Sequence, residues 1–274
     1  AAAFAYVPQW LSESIQLHGW RQTYQALAII VAAGLLPLMA LLFRNRPEDV
    51  SQFVDGVRPI DIDPDRPVSD VVDSSVDLRS AARTKSYYVL GAISATWAMI
   101  GTGVVFYLFT LCKDRGFEPT AASSLFKTFG LTMLAMQFGG NVLADYLRLN
   151  RLLGIGVTML VVGMIVLGLA DEMWMMHVFG GLFGGGQGLL IAVIGVVWVR
   201  YYGRTHLGSV RGAVWCVTVA GSGCGPLIMG TIKDSSGSYD MAIWIFAALL
   251  FPLSIAAWFV RPPESLAGPA IQPV

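Results

Sequence analysis

Residues 122–145 form an apolar stretch long enough for a membrane helix, yet it holds Lys127, Gln137, Asn141 and Asp145. Projected at about 100° per residue, Lys127, Gly130, Leu134, Gln137, Asn141, Asp145 and Arg148 fall on one stripe about 80° wide. The other faces carry Leu125, Phe126, Met133, Met136 and Phe138. A charge inside a span is expensive and points to function. An ammonium group and side-chain amides on one face could bind an anion or line an aqueous path. Two structural readings stand beside this one. Lys127 could snorkel to the outer interface, since only about two to three turns separate it from Glu118. Gln137 and Asn141 could instead bond a neighbouring helix.

A second stripe lies in residues 212–232, led by Arg211. Arg211, Trp215, Thr218 and Ser222 recur at helical spacing, followed by GSGCGP at 221–226. Pro226 and its glycines weaken the helical ladder. Either a hinged, cavity-lining helix or a tightly packed bend results. The run FGGLFGGGQGLL at 179–190 lacks the Lys-Ser/Thr of a phosphate loop and has no strand before it. Its small residues four apart read as close helix packing in lipid, with Gln187 as a polar residue able to face a cavity.

Other chemistry is poorly supported. Asp61, Asp63 and Asp65 imitate the start of a calcium loop, but Arg66 and Val72 occupy positions that need Gly and Glu. His18, His177 and His206 form no zinc motif, and no nucleophile elbow occurs. Cys112, Cys216 and Cys224 lie in or beside apolar runs and read as packing residues. No catalytic set, metal or cofactor is expected. A retinal protein would need a Schiff-base Lys, usually in its last helix, and residues 241–260 have none.

The elements that must position these side chains follow from composition. The chain has 274 residues, 55% hydrophobic and 13% charged, against about 25% charged in soluble domains. Its formal net charge is zero, which does not suggest a nucleic-acid partner. Apolar runs at roughly 22–43, 86–111, 122–145, 152–170, 173–199, 212–232 and 241–260 are long enough to span a bilayer as helices. Residues 1–11 look like the tail of an earlier span. The expected class is therefore an all-α integral membrane protein with about seven full spans plus the tail of another.

Residues 44–85 form a hydrophilic, largely irregular linker rich in Asp, Pro, Ser and Arg. Alternating the loops between two sides puts thirteen Lys and Arg on the side of 44–85, 146–151, 200–211 and the tail, and four on the other. That asymmetry places the linker and C-terminus in the cytoplasm. The opening AAAFAYVPQW has no Met and no basic leader, and reads as a span cut midway.

Several segments resemble the major facilitator superfamily, and the likeness covers nearly the whole chain. HGWRQTYQAL at 18–27 resembles the start of that family's sixth helix, and RNRPED at 44–49 its exit into the central loop. NVLADYLRLNR at 141–151 resembles the turn between the eighth and ninth helices. There Leu143 and Asp145 match the motif, while Asn141, Tyr146 and Arg148 depart from it. Residues 203–239 resemble the monocarboxylate and oxalate–formate branch. The resemblance implies a partial fold. Residues 1–43 would hold the end of helix 5 and helix 6, 44–85 the central linker, 86–262 the C-terminal six-helix bundle, and 263–274 a cytoplasmic tail. The first helices of the N-terminal half would be missing.

The functional expectation is a secondary transporter in the cell membrane, plasma or inner, moving a small organic carboxylate by alternating access. Protons would be coupled to it, or another solute exchanged. Lys127 would attract or bind the anion. Gln137, Asn141, Gln187, Thr218 and Ser222 would offer hydrogen bonds, and Trp97, Tyr107 and Trp215 would shape the cavity. Asp145 with Arg148, and Arg211, would hold the cytoplasmic turns. The alternatives are a carrier of sugars or drugs, or a non-transporting sensor on the same fold; an intramembrane enzyme finds no support in the residues.

Overall fold

The computed structural model describes residues 2–42 and 76–263. By its contacts the chain divides into two units, Gln9–Asp73 and Ala1–Pro8 with Ser74–Val274. Helix α1, Ala2–Leu42, is broken at Gly19, whose φ of 78° and ψ of 157° are non-helical. Glycine adopts that conformation without a Cβ clash. The expected boundary between a helix tail and a following span thus falls at Gly19. The Thr23 hydroxyl donates to the Gly19 carbonyl at 3.0 Å and lies 3.1 Å from the Ser14 hydroxyl. It satisfies a carbonyl at the break in the helical ladder.

The second unit is helical, with no strand among the described residues. Its elements are α2 Leu78–Ala81, α3 Lys85–Asp114, α4 Pro119–Tyr146, α5 Leu149–Gly168, α6 Met173–Tyr202, α7 Leu207–Ser236 and α8 Asp240–Phe259. The shortest long helices, α5 and α8, have 20 residues each, about 30 Å and so one hydrocarbon thickness. Among the described residues six segments are long and apolar enough to cross a membrane: Glu13–Leu42, α3, α5, α6, α7 and α8. The expected span at 122–145 forms α4, which apolarity alone leaves off these six. Helix α4, with 28 residues, has the length but not the apolarity. Lys127, Gln137, Asn141 and Asp145 lie within it, beside Thr128 and Thr132.

Helix α6 is the centre of this unit. It buries Phe179, Phe183, Leu190, Val193, Val197 and Trp198. Helices α4 and α5 pack on it, α8 packs on α5, and α7 packs on α3. Glycine makes the α4–α6 approach possible. A Cβ at Gly184 would strike the Phe129 carbonyl, and one at Gly188 the Met133 carbonyl. Gly186 meets α5 in the same manner, at Leu160 and Gly156. The packing interpretation of the glycine run therefore holds.

The turns alternate between the two ends of the bundle. Asp114, Arg115, Asp171, Lys233 and Asp240 gather at one end, and Arg148, Arg200 and Arg261 at the other. Residues 61–66, with their three aspartates, lie outside the described residues, as do 43–75 generally and the tail from 264. The end of the expected linker is ordered. Asp77 caps α2 by accepting the Ser80 N–H at 3.2 Å, and bonding to the Ser80 hydroxyl and N–H holds its carboxyl below the usual range. Val76 and Ala81 are buried.

Candidate functional site: an uncharged cavity between four helices

Helices α3, α4, α6 and α7 line an open cavity of about 560 Å³. Helix α3 lines it with Trp97, Gly101, Thr102, Val105 and Phe106, at about one-turn spacing along one face. Helix α7 opposes it with Trp215, Thr218, Val219, Ser222 and Pro226, again about four apart. Phe129 and Met133 of α4 and Gln187 and Ile191 of α6 complete the lining. None of these side chains is charged, and most are apolar. Of the residues expected from sequence, Trp97, Gln187, Trp215, Thr218 and Ser222 meet here.

The hydrogen-bonding capacity of the cavity is lopsided. The Thr218 hydroxyl donates to the Val214 carbonyl at 2.9 Å, and that of Ser222 to Val219 at 2.7 Å. The single Thr102 hydroxyl hydrogen is shared between the Ala98 carbonyl of its own helix at 2.6 Å and the Ser222 carbonyl across from it at 2.7 Å. Those hydroxyl hydrogens are committed to backbone. Two N–H donors are not. Trp97 Nε1 and Gln187 Nε2 are buried and have no hydrogen-bond partner. Gln187 is 5% exposed. Its Nε2 fits against Gly101, where a Cβ would stand 2.7 Å away. A buried donor left unpaired costs about 1–3 kcal/mol, so two lining one cavity call for an acceptor.

The other expected residues lie elsewhere. Lys127 is exposed on α4 and does not line the cavity. Gln137 is half-buried, and its backbone N–H passes close to Gly188. Asn141 is exposed. Tyr107 packs its ring 5.3 Å from Tyr239, also away from the cavity. Arg211 is exposed at the start of α7. Arg148 lies beyond α4, as the N-cap of α5, so the polar stripe stops at Asp145.

Asp145 pairs with Arg200 of α6, at 2.7 Å, rather than with Arg148. The same guanidinium donates to the Ala144 carbonyl at 2.6 Å, tying the end of α4 to the end of α6. Sequence reasoning missed this partner because Arg200 is distant in the chain and read as one of several loop cations. It also missed Gly101, Thr102, Phe129 and Met133, which fill helix faces with no distinctive periodicity. The three cysteines are free, Cys112 buried and Cys216 and Cys224 exposed.

No curated protein matches the chain. A model of the Major Facilitator Superfamily matches residues 88–273, more than half of the sequence. That match covers the last six helices and the cavity between them, and the chain therefore belongs to the Major Facilitator Superfamily, whose members are secondary transporters in membranes.

Proposed function

We propose that the protein carries a small organic carboxylate across the cell membrane by alternating access, with a proton moving alongside it or in exchange for another solute. The observation that carries this reading is the pair of unpartnered donors, Trp97 Nε1 and Gln187 Nε2, lining one apolar cavity. Two N–H groups suit the oxygens of a carboxylate or its acid, and the apolar wall suits a short hydrocarbon body. The lining offers no cation. An unpaired carboxylate entering it would lose its hydration at a large cost. A co-transported proton removes that cost by neutralising the solute. Thr218 and Ser222 have hydroxyl oxygens left to accept the acid proton, and Trp215 closes the wall.

Lys127 serves as an attracting charge outside the cavity in this proposal, and Tyr107 shapes the packing at the outer end. Gln137 and Asn141 give the α4 face its polarity. Asp145, Arg148 and Arg211 belong to the cytoplasmic turns, with the linker and C-terminus on that side. The uncharged lining favours one second reading, a neutral apolar solute of drug type.

The test is uptake by the full-length protein in liposomes, using labelled formate, lactate, pyruvate and oxalate with and without an inward proton gradient. Expected is proton-stimulated uptake of at least one monocarboxylate, with a raised KM in Gln187→Leu. No uptake from folded protein rejects the carboxylate assignment. Uptake of a neutral drug instead selects the second reading, and saturable binding without accumulation selects a sensor.

A further inference from the structure

At the arginine-rich end of the bundle a second cavity, about 450 Å³, lies between the α4–α5 turn, the end of α6 and the end of α8. Three guanidinium-bearing residues line it: Arg148, Arg200 and Arg261. They come from the α4–α5 turn, the end of α6 and the segment after α8, 52 and 61 residues apart in sequence. Only the fold brings them together. Among the described residues their charge is only partly cancelled. Arg200 is engaged by Asp145 at 2.7 Å, and no acidic residue is among the lining residues. The lining thus keeps the net charge of Arg148 and Arg261. The first residues of α5, Leu149 and Asn150, also face the cavity. Their end of the helix adds the positive pole of its dipole.

The rest of the lining shows where such an anion would sit. Trp258 and Phe259, at the end of α8, are 41% and 72% exposed and line the same cavity. An exposed Trp at the end of an apolar helix marks the membrane interface, at headgroup depth. The frame is also built rather than loose. Asn150 donates to the Trp258 carbonyl at 2.8 Å, and Ser86 donates to the Arg261 carbonyl at 2.6 Å. These bonds fix α5 and the residues after α8 around the cavity.

We infer that this cavity binds a phosphate-bearing anion, with Arg148 and Arg261 as its free guanidinium ligands and Arg200 as a supporting cation. Guanidinium forks match phosphate oxygens in pairs. Basic pockets between transmembrane helices bind lipid headgroups in this manner. The shared chemistry admits two sources, an anionic phospholipid headgroup and free inorganic phosphate.

The experiment uses the full-length protein in neutral detergent and follows thermal unfolding. Three probes are added separately: short-chain phosphatidylglycerol, short-chain phosphatidylcholine and inorganic phosphate at fixed ionic strength. The double variant Arg148→Gln/Arg261→Gln is run in parallel; both side chains are exposed, so it should fold. Arg200 is left intact because it holds the α4 end. Expected is a rise of several degrees with phosphatidylglycerol at about 100 times its Kd, worth about 2.7 kcal/mol, and at least a tenfold weaker response in the variant. The same pattern with inorganic phosphate alone assigns the site to the free ion. Equal shifts with phosphatidylglycerol and phosphatidylcholine, or equal shifts in wild type and variant, overturn the proposal. If the double variant does not fold, retention of the phosphatidylglycerol response by Arg148→Lys/Arg261→Lys, set against its loss in either single Gln variant, decides the matter.

Discussion

The hydroxyl of Thr102 lies 2.7 Å from the carbonyl oxygen of Ser222, four residues before Pro226. In an unbroken helix that carbonyl would accept the N–H of residue 226, which proline does not have. A side chain of α3 therefore supplies the donor that α7 lacks. Helices α3 and α7 also touch through glycine, since a Cβ at Gly225 would strike the Met99 carbonyl. The Pro-Gly segment is thus held as a close-packed joint against α3, in the wall of the cavity itself.

Replacing Thr102 with Val keeps the shape and removes the donor. Thermal unfolding in detergent is expected to show a loss of about 0.5–1.5 kcal/mol, the net worth of one hydrogen bond at this exposed contact. Thr102→Ser restores the hydroxyl and should recover most of it. Equal stability of the Val variant would show that the Ser222 carbonyl finds another donor.

Gln187→Leu and Trp97→Phe each delete one unpartnered donor. Because the donors lack partners in the empty protein, neither change should lower the melting temperature by more than a degree or two. Uptake should suffer instead. A hydrogen bond to the neutralised solute is worth about 0.5–1.5 kcal/mol, roughly 2- to 13-fold in apparent affinity. A KM series on the responding solute checks it, and an unchanged KM in both variants would remove these residues from the site.

Gly188→Val drives a side chain into the Met133 carbonyl and the Gln137 backbone. Helices in lipid lack a hydrophobic drive to compensate for such a separation. The expected result is loss of folded, monodisperse protein on size-exclusion chromatography. Gly195, on the same helix, has nothing within 4 Å of a built Cβ. Gly195→Ala should behave as wild type.

The Asp145–Arg200 pair is largely exposed, with side chains 70% and 41% accessible. Exposed pairs contribute about 0.2–1 kcal/mol, so Asp145→Asn should reduce stability only slightly, and less at high salt. Arg200→Ala should cost more, because it also strips the Ala144 carbonyl of its donor. A melting comparison of the two variants at low and high salt measures the difference.

Lys127→Gln tests long-range attraction. Lys127 is exposed and outside the cavity lining. Uptake at low ionic strength is expected to fall several-fold, with the deficit vanishing at about 0.5 M salt as the Debye length shrinks. A salt-independent deficit would mean that Lys127 contacts the solute directly.

The sequence by itself determined that this is a helical membrane protein, where the helices lie, and which loops share a side. Long apolar runs admit no other spanning structure, and loop charge follows a simple alternation. It also marked Trp97, Gln187, Trp215, Thr218 and Ser222, because rare polar and aromatic residues stand out against an apolar background. The polar stripe on α4 was legible too, but periodicity states only which residues share a face. It does not state which neighbour that face meets. Tertiary structure decided that the buried face of α4, with Phe129 and Met133, lines the cavity while Lys127 and Asn141 stay outside it. It likewise chose Arg200 as the partner of Asp145 and joined Thr102 to Ser222. Each of those pairings spans 55 or more residues of chain. Only the order in which helices pack around α6 brings them within bonding distance.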